Sequence, residues 1–241
     1  MSGHSKWSTI KHQKETQDKK RGQLFSKLSR QITVAVTEGD SGDPEINFKL
    51  RLAIEKARQA NMPKENINRA ILKGKGKEEE GKLIEVVYEG FGPEGTAVIV
   101  EGITDNKNRS LAEIKKFFEK RGGRLVDHGA VKYLFEKKGF LLVKKQDDTE
   151  KQILEIIDLG AEDVEESEEG IEVYTSPSLL ADFARKLERG GFKLTSFQLV
   201  LKPKNLINLE GKAAEKVLRF LKELEEKDDV LRVFSDADFA Q

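Results

Sequence analysis

His4 and His12 stand among Lys6, Lys11, Lys14, Lys19, Lys20 and Arg21 in the first 21 residues, with Trp7 and Ile10 as the large apolar side chains between them. Zinc takes three or four soft or carboxylate ligands, and this stretch supplies lysines instead; the third histidine, His128, is far along the chain. The pattern is one of donors for an oxyanion. The two imidazoles either donate hydrogen bonds to phosphates beside those lysines or stand free in water, and the residue types alone leave both readings open.

Three other stretches carry residue types with chemistry. Residues 76–83, GKEEEGKL, come close to a phosphate-cradling P-loop. Leu83, however, stands where a Ser or Thr must ligate magnesium, three glutamates repel phosphate, and a helix end precedes in place of a strand, so nucleotide binding is excluded there. Glu162, Asp163, Glu165, Glu166, Glu168 and Glu169 surround a turn at Gly170. They lack the alternate spacing and central glycine of a calcium loop and read as a solvated turn that repels nucleic acid. At 103–110, ITDNKNRS falls where a strand gives way to a helix. Asp105, Asn106 and Asn108 are turn and N-cap residues, which is one account; free backbone N–H groups flanked by Lys107 and Arg109 suit a phosphate or ribose oxygen, which is the other. Gly122-Gly123-Arg124, at the far end of that helix, reads as its C-cap. No nucleophile stands beside a base and no pair of carboxylates is marked for a cleft, so an enzyme is the weaker class and no cofactor or small-molecule substrate is expected.

The elements that must carry these residues follow from periodicity. Leu24, Phe25, Leu28, Ile32 and Ala35 recur at helical spacing and stop before a Gly-rich loop at 38–42. Asp43-Pro44, as N-cap and first helical residue, is expected to open a second helix with Ile46, Leu50, Ala53, Ile54, Ala57 and Ala60 buried. Pro63 opens a third helix, with Ile67, Ala70 and Ile71 inward and Gly74 ending it. This three-helix bundle turns Lys49, Arg51, Lys56, Arg58, Lys64, Arg69 and Lys73 to solvent. Residues 73–82 read as a linker. Beyond it come a hairpin of strands at 84–88 and 96–103, a helix at 108–121 and a strand at 131–135. A βαββαβ series follows, with strands at 140–143, 161–165, 171–175 and 194–201 and helices at 150–159 and 179–189, the ferredoxin-like split arrangement. A helix at 212–226 and a strand at 230–234 remain. Alone they cannot build a core, so they are expected to complete the earlier ββαβ piece. The predicted fold is therefore α+β and multidomain: basic arm and bundle at 1–77, a discontinuous α/β sandwich at 84–136 plus 205–241, and a ferredoxin-like domain at 139–201 inserted in it.

Composition sets the outer limits. The 241 residues are 37% apolar and 36% charged, with no cysteine, and hence no disulfide, thiolate metal site or thiol nucleophile. No window approaches the roughly 18 apolar residues of a membrane span, and the first 20 residues lack the apolar stretch of a signal peptide, so a cytosolic protein without membrane partners is expected. The net charge of zero conceals a division: residues 1–77 hold 17 Lys+Arg against 8 Asp+Glu, and the rest 26 against 35. A basic segment on an acidic body draws one end of a molecule to phosphate, although the same cations can serve only to solvate helices.

MSGHSKW at the start, NMPKENINRAI at 61–71, YEGFGPEG at 88–95 and ITDNKNRS at 103–110 together resemble the YebC/PmpR family, in order and over the whole length. That resemblance implies a helical bundle plus two α+β domains and bacterial DNA-binding transcriptional regulators; a mitochondrial relative is described as a translational activator, and bacterial members are associated with ribosomes and proline-rich nascent chains. It also implies Gly3, His4, Ser5, Lys6 and Trp7 as a functional tip. The expected partner is nucleic acid, either duplex DNA or ribosomal RNA. Candidate contacts are His4, Lys6, Trp7, Lys11, His12, Lys14, Lys19, Lys20 and Arg21 from the arm, Lys49, Arg51, Arg58 and Arg69 from the bundle, and Lys107 and Arg109 from the later helix start. No recognition helix is apparent, so backbone contacts with weak sequence preference are expected, while a Trp-bearing arm can also stack on an exposed RNA base.

Overall fold

The computed structural model describes residues 17–76 and 83–239, with side chains from Arg21 onward. Three helices come first: α1 (Gln17–Glu38), α2 (Phe48–Gln59) and α3 (Lys64–Lys75). Leu28, Ile32, Ala35 and Val36 recur three or four residues apart on α1, so one stripe meets Leu50, Ala53, Ile54 and Ala57 of α2 and Ile67 and Ala70 of α3. α1 and α3 cross closely because Gly74 has no side chain: a Cβ there would lie 2.6 Å from Val36 Cβ and 2.7 Å from the Thr33 carbonyl oxygen. Thr33 Oγ1 donates to the Ala70 carbonyl across the same crossing, at 3.1 Å.

Three bundle expectations are corrected. Asp43-Pro44 makes a turn in which Asp43 Oδ1 accepts from Glu45 N at 2.9 Å, and α2 starts later, capped by Asn47. Asn47 Oδ1 accepts from Leu50 N at 3.0 Å while Nδ2 donates to the carbonyls of Ala35 at 2.8 Å and Ser41 at 2.9 Å. One buried amide thus satisfies the new helix, the old helix and the loop between them, which outweighs the local preference for Pro at a first turn. Ile46, expected in the buried stripe, is 77% exposed. The third helix also passes through Gly74 to Lys75, which shortens the linker expected at 73–82; residues 77–82 of it lie outside the described residues.

The first sheet contains β1 (Ile84–Phe91), β2 (Ala97–Thr104), β3 (Arg124–Val126) and β9 (Val230–Ser235) in the order β3-β1-β2-β9. Helices α4 (Lys107–Lys120) and α7 (Gly211–Glu225) lie on one of its faces, where Phe220 stacks edge-on to Phe118 at 5.0 Å between ring centroids. The short strands β8 (Ile207–Leu209) and β10 (Ala237–Phe239) pair in parallel beside it. The second sheet holds β4 (Phe135–Val143), β5 (Asp163–Glu166), β6 (Ile171–Thr175) and β7 (Leu194–Pro203) in the order β5-β6-β4-β7. With α5 (Thr149–Asp158) and α6 (Leu180–Arg189) this is the ferredoxin-like βαββαβ unit.

The strand expected at 131–135 is instead a 3-10 turn at Lys132–Leu134 leading into a single long β4, and β3 takes the sheet edge. Glu89 explains the difference. Its carboxylate, wholly buried, accepts the backbone N–H groups of Gly129 at 2.7 Å and of Val131 and Lys132 at 2.8 Å, so these amides are spent on a side chain and cannot enter a ladder.

Alternation along the strands places the two sheets face to face. Val98 and Val100 point to the helices α4 and α7, while Ala97 and Ile99 point the other way and pack with Phe234, Phe140, Leu142, Tyr174 and Val200. In the second sheet Leu141 and Val143 face α5 and α6. Four layers result, helices outside and two sheets within, and the inner strands are apolar on both faces. The bundle joins this sandwich differently. Lys27 Nζ donates to the Glu225 carbonyl at 2.5 Å, Arg30 pairs with Asp229 at 3.0 Å, Lys49 pairs with Glu85 at 2.8 Å, and Lys56 donates to Gln198 at 3.4 Å.

Candidate nucleic-acid interface

Side chains three and four residues apart share a helix face, and on α3 that spacing aligns Asn66, Arg69 and Lys73. On α1 it aligns Ser26, Ser29, Arg30 and Thr33. The two rows line one open groove, together with Phe25, Ala70 and residues Gly22 and Leu83. Arg69 and Lys73 are exposed and make no hydrogen bond or ion pair with any described residue. Arg30 is one-third exposed, with Nη1 committed to Asp229 and to the Asp228 carbonyl at 3.2 Å. Hydroxyls and an amide beside guanidinium and ammonium groups are the donor set that phosphate oxygens take up.

The other expected contact residues are differently placed. His4, Lys6, Trp7, Lys11, His12 and Lys14 lie outside the described residues, as do the side chains of Lys19 and Lys20, whose backbone belongs to α1. Arg21 is exposed, its guanidinium 5.4 Å from the Phe25 ring centroid at the edge of the groove. Lys49 is held between Glu38 and Glu85; burial alone would lower its pKa, and the two carboxylates outweigh that and keep it above the ordinary lysine value. Arg51 donates to the carbonyls of Pro44 at 2.8 Å and Glu45 at 2.6 Å, which makes it a brace for the turn before α2. Arg58 is exposed in the last turn of α2. Lys107 is exposed at the start of α4, where the side chain of Asn106 already caps Arg109 N at 3.0 Å. Arg109 pairs with Asp105 at 2.7 Å and with Asp229 at 3.5 Å, and its guanidinium holds the Asp105 carboxyl below the usual range. At that helix start Asp105 and Asp229 hold the Arg109 guanidinium while Asn106 serves as the cap, and Lys107 has no partner among the described residues.

The groove therefore gathers Arg69 with Arg30, Lys73, Ser26, Ser29 and Asn66; Lys49, Arg51, Lys107 and Arg109 do not line it, although Arg109 meets Arg30 on the shared carboxylate of Asp229. Arg30 and the two serines were missed by sequence reasoning. Their signal was present in the spacing of Ser26, Ser29 and Arg30 along one flank of α1, next to the apolar stripe. The acidic run is also clarified: Lys138 pairs with Glu162 at 2.9 Å, Lys202 with Asp163 at 2.6 Å and Glu165 at 2.8 Å, and Lys145 with Glu166 at 2.7 Å. Among the described residues no three His, Cys, Asp or Glu side chains are grouped for a metal ion, and no helix is long and apolar enough to cross a membrane.

Residues 5–77 match the family model described as TACO1/YebC protein N-terminal domain, and residues 83–237 match that described as TACO1/YebC second and third domain. The chain belongs to the TACO1/YebC family. Among its relatives, a probable transcriptional regulatory protein of Dictyoglomus turgidum is 46% identical over 240 residues, covering 99% of this chain and 96% of that one. A protein of Dehalococcoides mccartyi with the same description is 47% identical over 240 residues, with coverage of 99% and 95%. The crystal structure of a conserved hypothetical protein from Aquifex aeolicus superposes with a TM-score of 0.89 at 44% identity, covering 98% of each chain. The α+β fold with its N-terminal helices is thus that of a TACO1/YebC protein, and at the level of the family these are regulators.

Proposed function

We propose that this chain is a nucleic-acid-binding regulator of gene expression, a DNA-binding transcriptional regulator whose phosphate-contacting surface is the α1–α3 groove and the basic arm that precedes it. One observation carries the reading: Arg69 and Lys73 stand side by side in the groove, exposed and without a partner among the described residues, whereas Lys49 and Arg109 are held by carboxylates and Arg51 by two carbonyls. The description of its relatives as probable transcriptional regulatory proteins supports the same reading. Contacts are made mainly to the phosphate backbone, with weak sequence preference, in the cytoplasm and without a cofactor.

A second reading is favoured by Trp7 in the basic arm, which suits stacking on an unpaired base of ribosomal RNA. The experiment that separates the two sets purified protein side by side against promoter duplex in gel shifts and against ribosomes in co-sedimentation. In whichever assay the wild type binds, the double variant Arg69→Ala/Lys73→Ala weakens binding and lowers the slope of log K against log salt by about 2 for duplex DNA, roughly 0.9 per phosphate. Its melting temperature stays that of the wild type, since neither side chain has a partner to lose among the described residues. Wild-type affinity and slope in the double variant overturn the groove as the contact surface.

A further inference from the structure

The helical layer over the first sheet carries a second concentration of cations. α7 presents Lys212, Lys216 and Arg219 four and three residues apart, one exposed stripe on the side away from Val217 and Leu221. Lys120 and Arg121, at the end of α4, face it across an open groove in which Glu215 is the single carboxylate. Gly122, at φ 79°, turns the chain there without a side chain to fill the space. Arg121 pairs with Glu223 at 2.5 Å and Lys216 with Glu94 at 2.8 Å. Lys120, Lys212 and Arg219 make no hydrogen bond or ion pair with any described residue.

The groove runs against its surroundings. Residues 84–136 and 205–241 hold 14 Lys+Arg against 18 Asp+Glu, so the module is acidic overall. Local helix electrostatics account for Lys120 and Arg121, which sit at the negative end of α4. They do not account for Lys212. It occupies the first turn of α7, which holds no acidic residue and whose N-cap residue, Glu210, makes no side-chain cap bond, and a lysine at this positive end is unfavourable to the helix dipole. A lysine placed against the helix dipole, with Arg219 two turns along and Lys120 across the groove both without a partner among the described residues, is accounted for by an anion from outside.

The position of the groove identifies the anion. The other end of α7 is fastened to the bundle through Lys27 and Glu225, and Arg30 of the first groove reaches Asp228 and Asp229 just beyond it. From Lys216 to Glu225 the helix rises about 14 Å, well inside the roughly 34 Å of one duplex turn. We propose that the α4–α7 groove is a second phosphate-binding surface, engaged by the nucleic acid that the bundle holds. This rests on the proposed function above and adds a contact to it.

The test uses the full chain, a fluorescently labelled 30-base-pair duplex and a labelled ribosomal RNA fragment, with anisotropy read at several salt concentrations. Lys120→Ala/Lys212→Ala/Arg219→Ala weakens binding about a hundredfold near 0.1 M salt, and on duplex lowers the slope by nearly 3. Glu215→Lys, which turns the one carboxylate into a cation, tightens binding, an outcome that misfolding cannot imitate. If the wild type binds neither probe, the proposed function itself falls. If the wild type binds, Arg69→Ala/Lys73→Ala weakens it, and both the triple variant and Glu215→Lys match wild type, the second surface alone is overturned.

Discussion

Replacing Glu89 by Gln keeps its shape and removes its charge, which isolates what the buried carboxylate does for the loop at 127–132. Burial by itself would raise the Glu89 pKa; the N–H groups of Gly129, Val131 and Lys132, with the nearby His128, reverse that and hold it below the usual glutamate value. A hydrogen bond to a charged group is worth about 1.5–3 kcal/mol. Glutamine retains one oxygen, enough for the donors of Val131 and Lys132, and turns an amide NH2 towards the N–H of Gly129. One charge-assisted bond is lost and two are weakened, a cost of about 3 kcal/mol, or roughly 6–12 °C in melting temperature for a chain of this size. Urea and thermal melts followed by circular dichroism at pH 7 measure it, and amide exchange at Gly129, Val131 and Lys132 speeds up in the variant. Because the folded-state pKa is depressed, the carboxylate's contribution is present above the unfolded value near 4.5 and disappears as pH falls through the folded one. The gap between wild type and variant therefore closes towards pH 3. An unchanged melting temperature at pH 7, or a gap that widens in acid, would falsify this account of the loop.

Asp236 gives the opposite pH dependence. It is buried, its Oδ1 accepts Ala97 N at 2.8 Å, and burial pushes its pKa up to about 6 from 3.8. A raised acid pKa favours the protonated folded form, so stability declines as pH rises through about 6. Asp236→Asn, which keeps the accepting oxygen, is more stable than wild type by up to about 3 kcal/mol at pH 8 and equal to it below pH 4, as urea unfolding at both pH values will read; equal stability at pH 8 counts against it. Gly74→Ala gains about 1 kcal/mol of helix propensity but drives a methyl into Val36 and the Thr33 carbonyl, so thermal melts show net destabilisation of about 1–2 kcal/mol, and a stabilised variant means that α1 and α3 do not cross so closely.

The sequence revealed elements better than it revealed what each polar side chain is for. The split βαββαβ series was legible because strands such as 171–175 and helices such as 180–189 have clean periods and Gly-marked turns. The start of α2 was misread because Asn47 wins through carbonyls of Ala35 and Ser41, which are contributed by the fold and invisible in a local pattern. The strand expected at 131–135 failed for the same kind of reason, since Glu89, forty residues earlier, claims its amides. Within the candidate interface, counting cations could not tell Arg69, which has no partner among the described residues, from Lys49 and Arg51, which are occupied by Glu85 and by two carbonyls. Charge asymmetry along the chain is spent partly inside the molecule, where basic helices meet acidic sheets.

None of the apolar clusters among the described residues mixes bundle side chains with those of the sandwich, and the joint between them is made of ion pairs and hydrogen bonds such as Arg30–Asp229 and Lys49–Glu85. Dissolved electrolyte weakens the exposed Lys49–Glu85 pair, and less strongly the part-buried Arg30–Asp229 pair, just as it weakens a grip on phosphate. Raising it therefore loosens the tether while it dissociates the partner, and a titration will count more released ions than there are contacts with the nucleic acid unless the tether is first locked covalently.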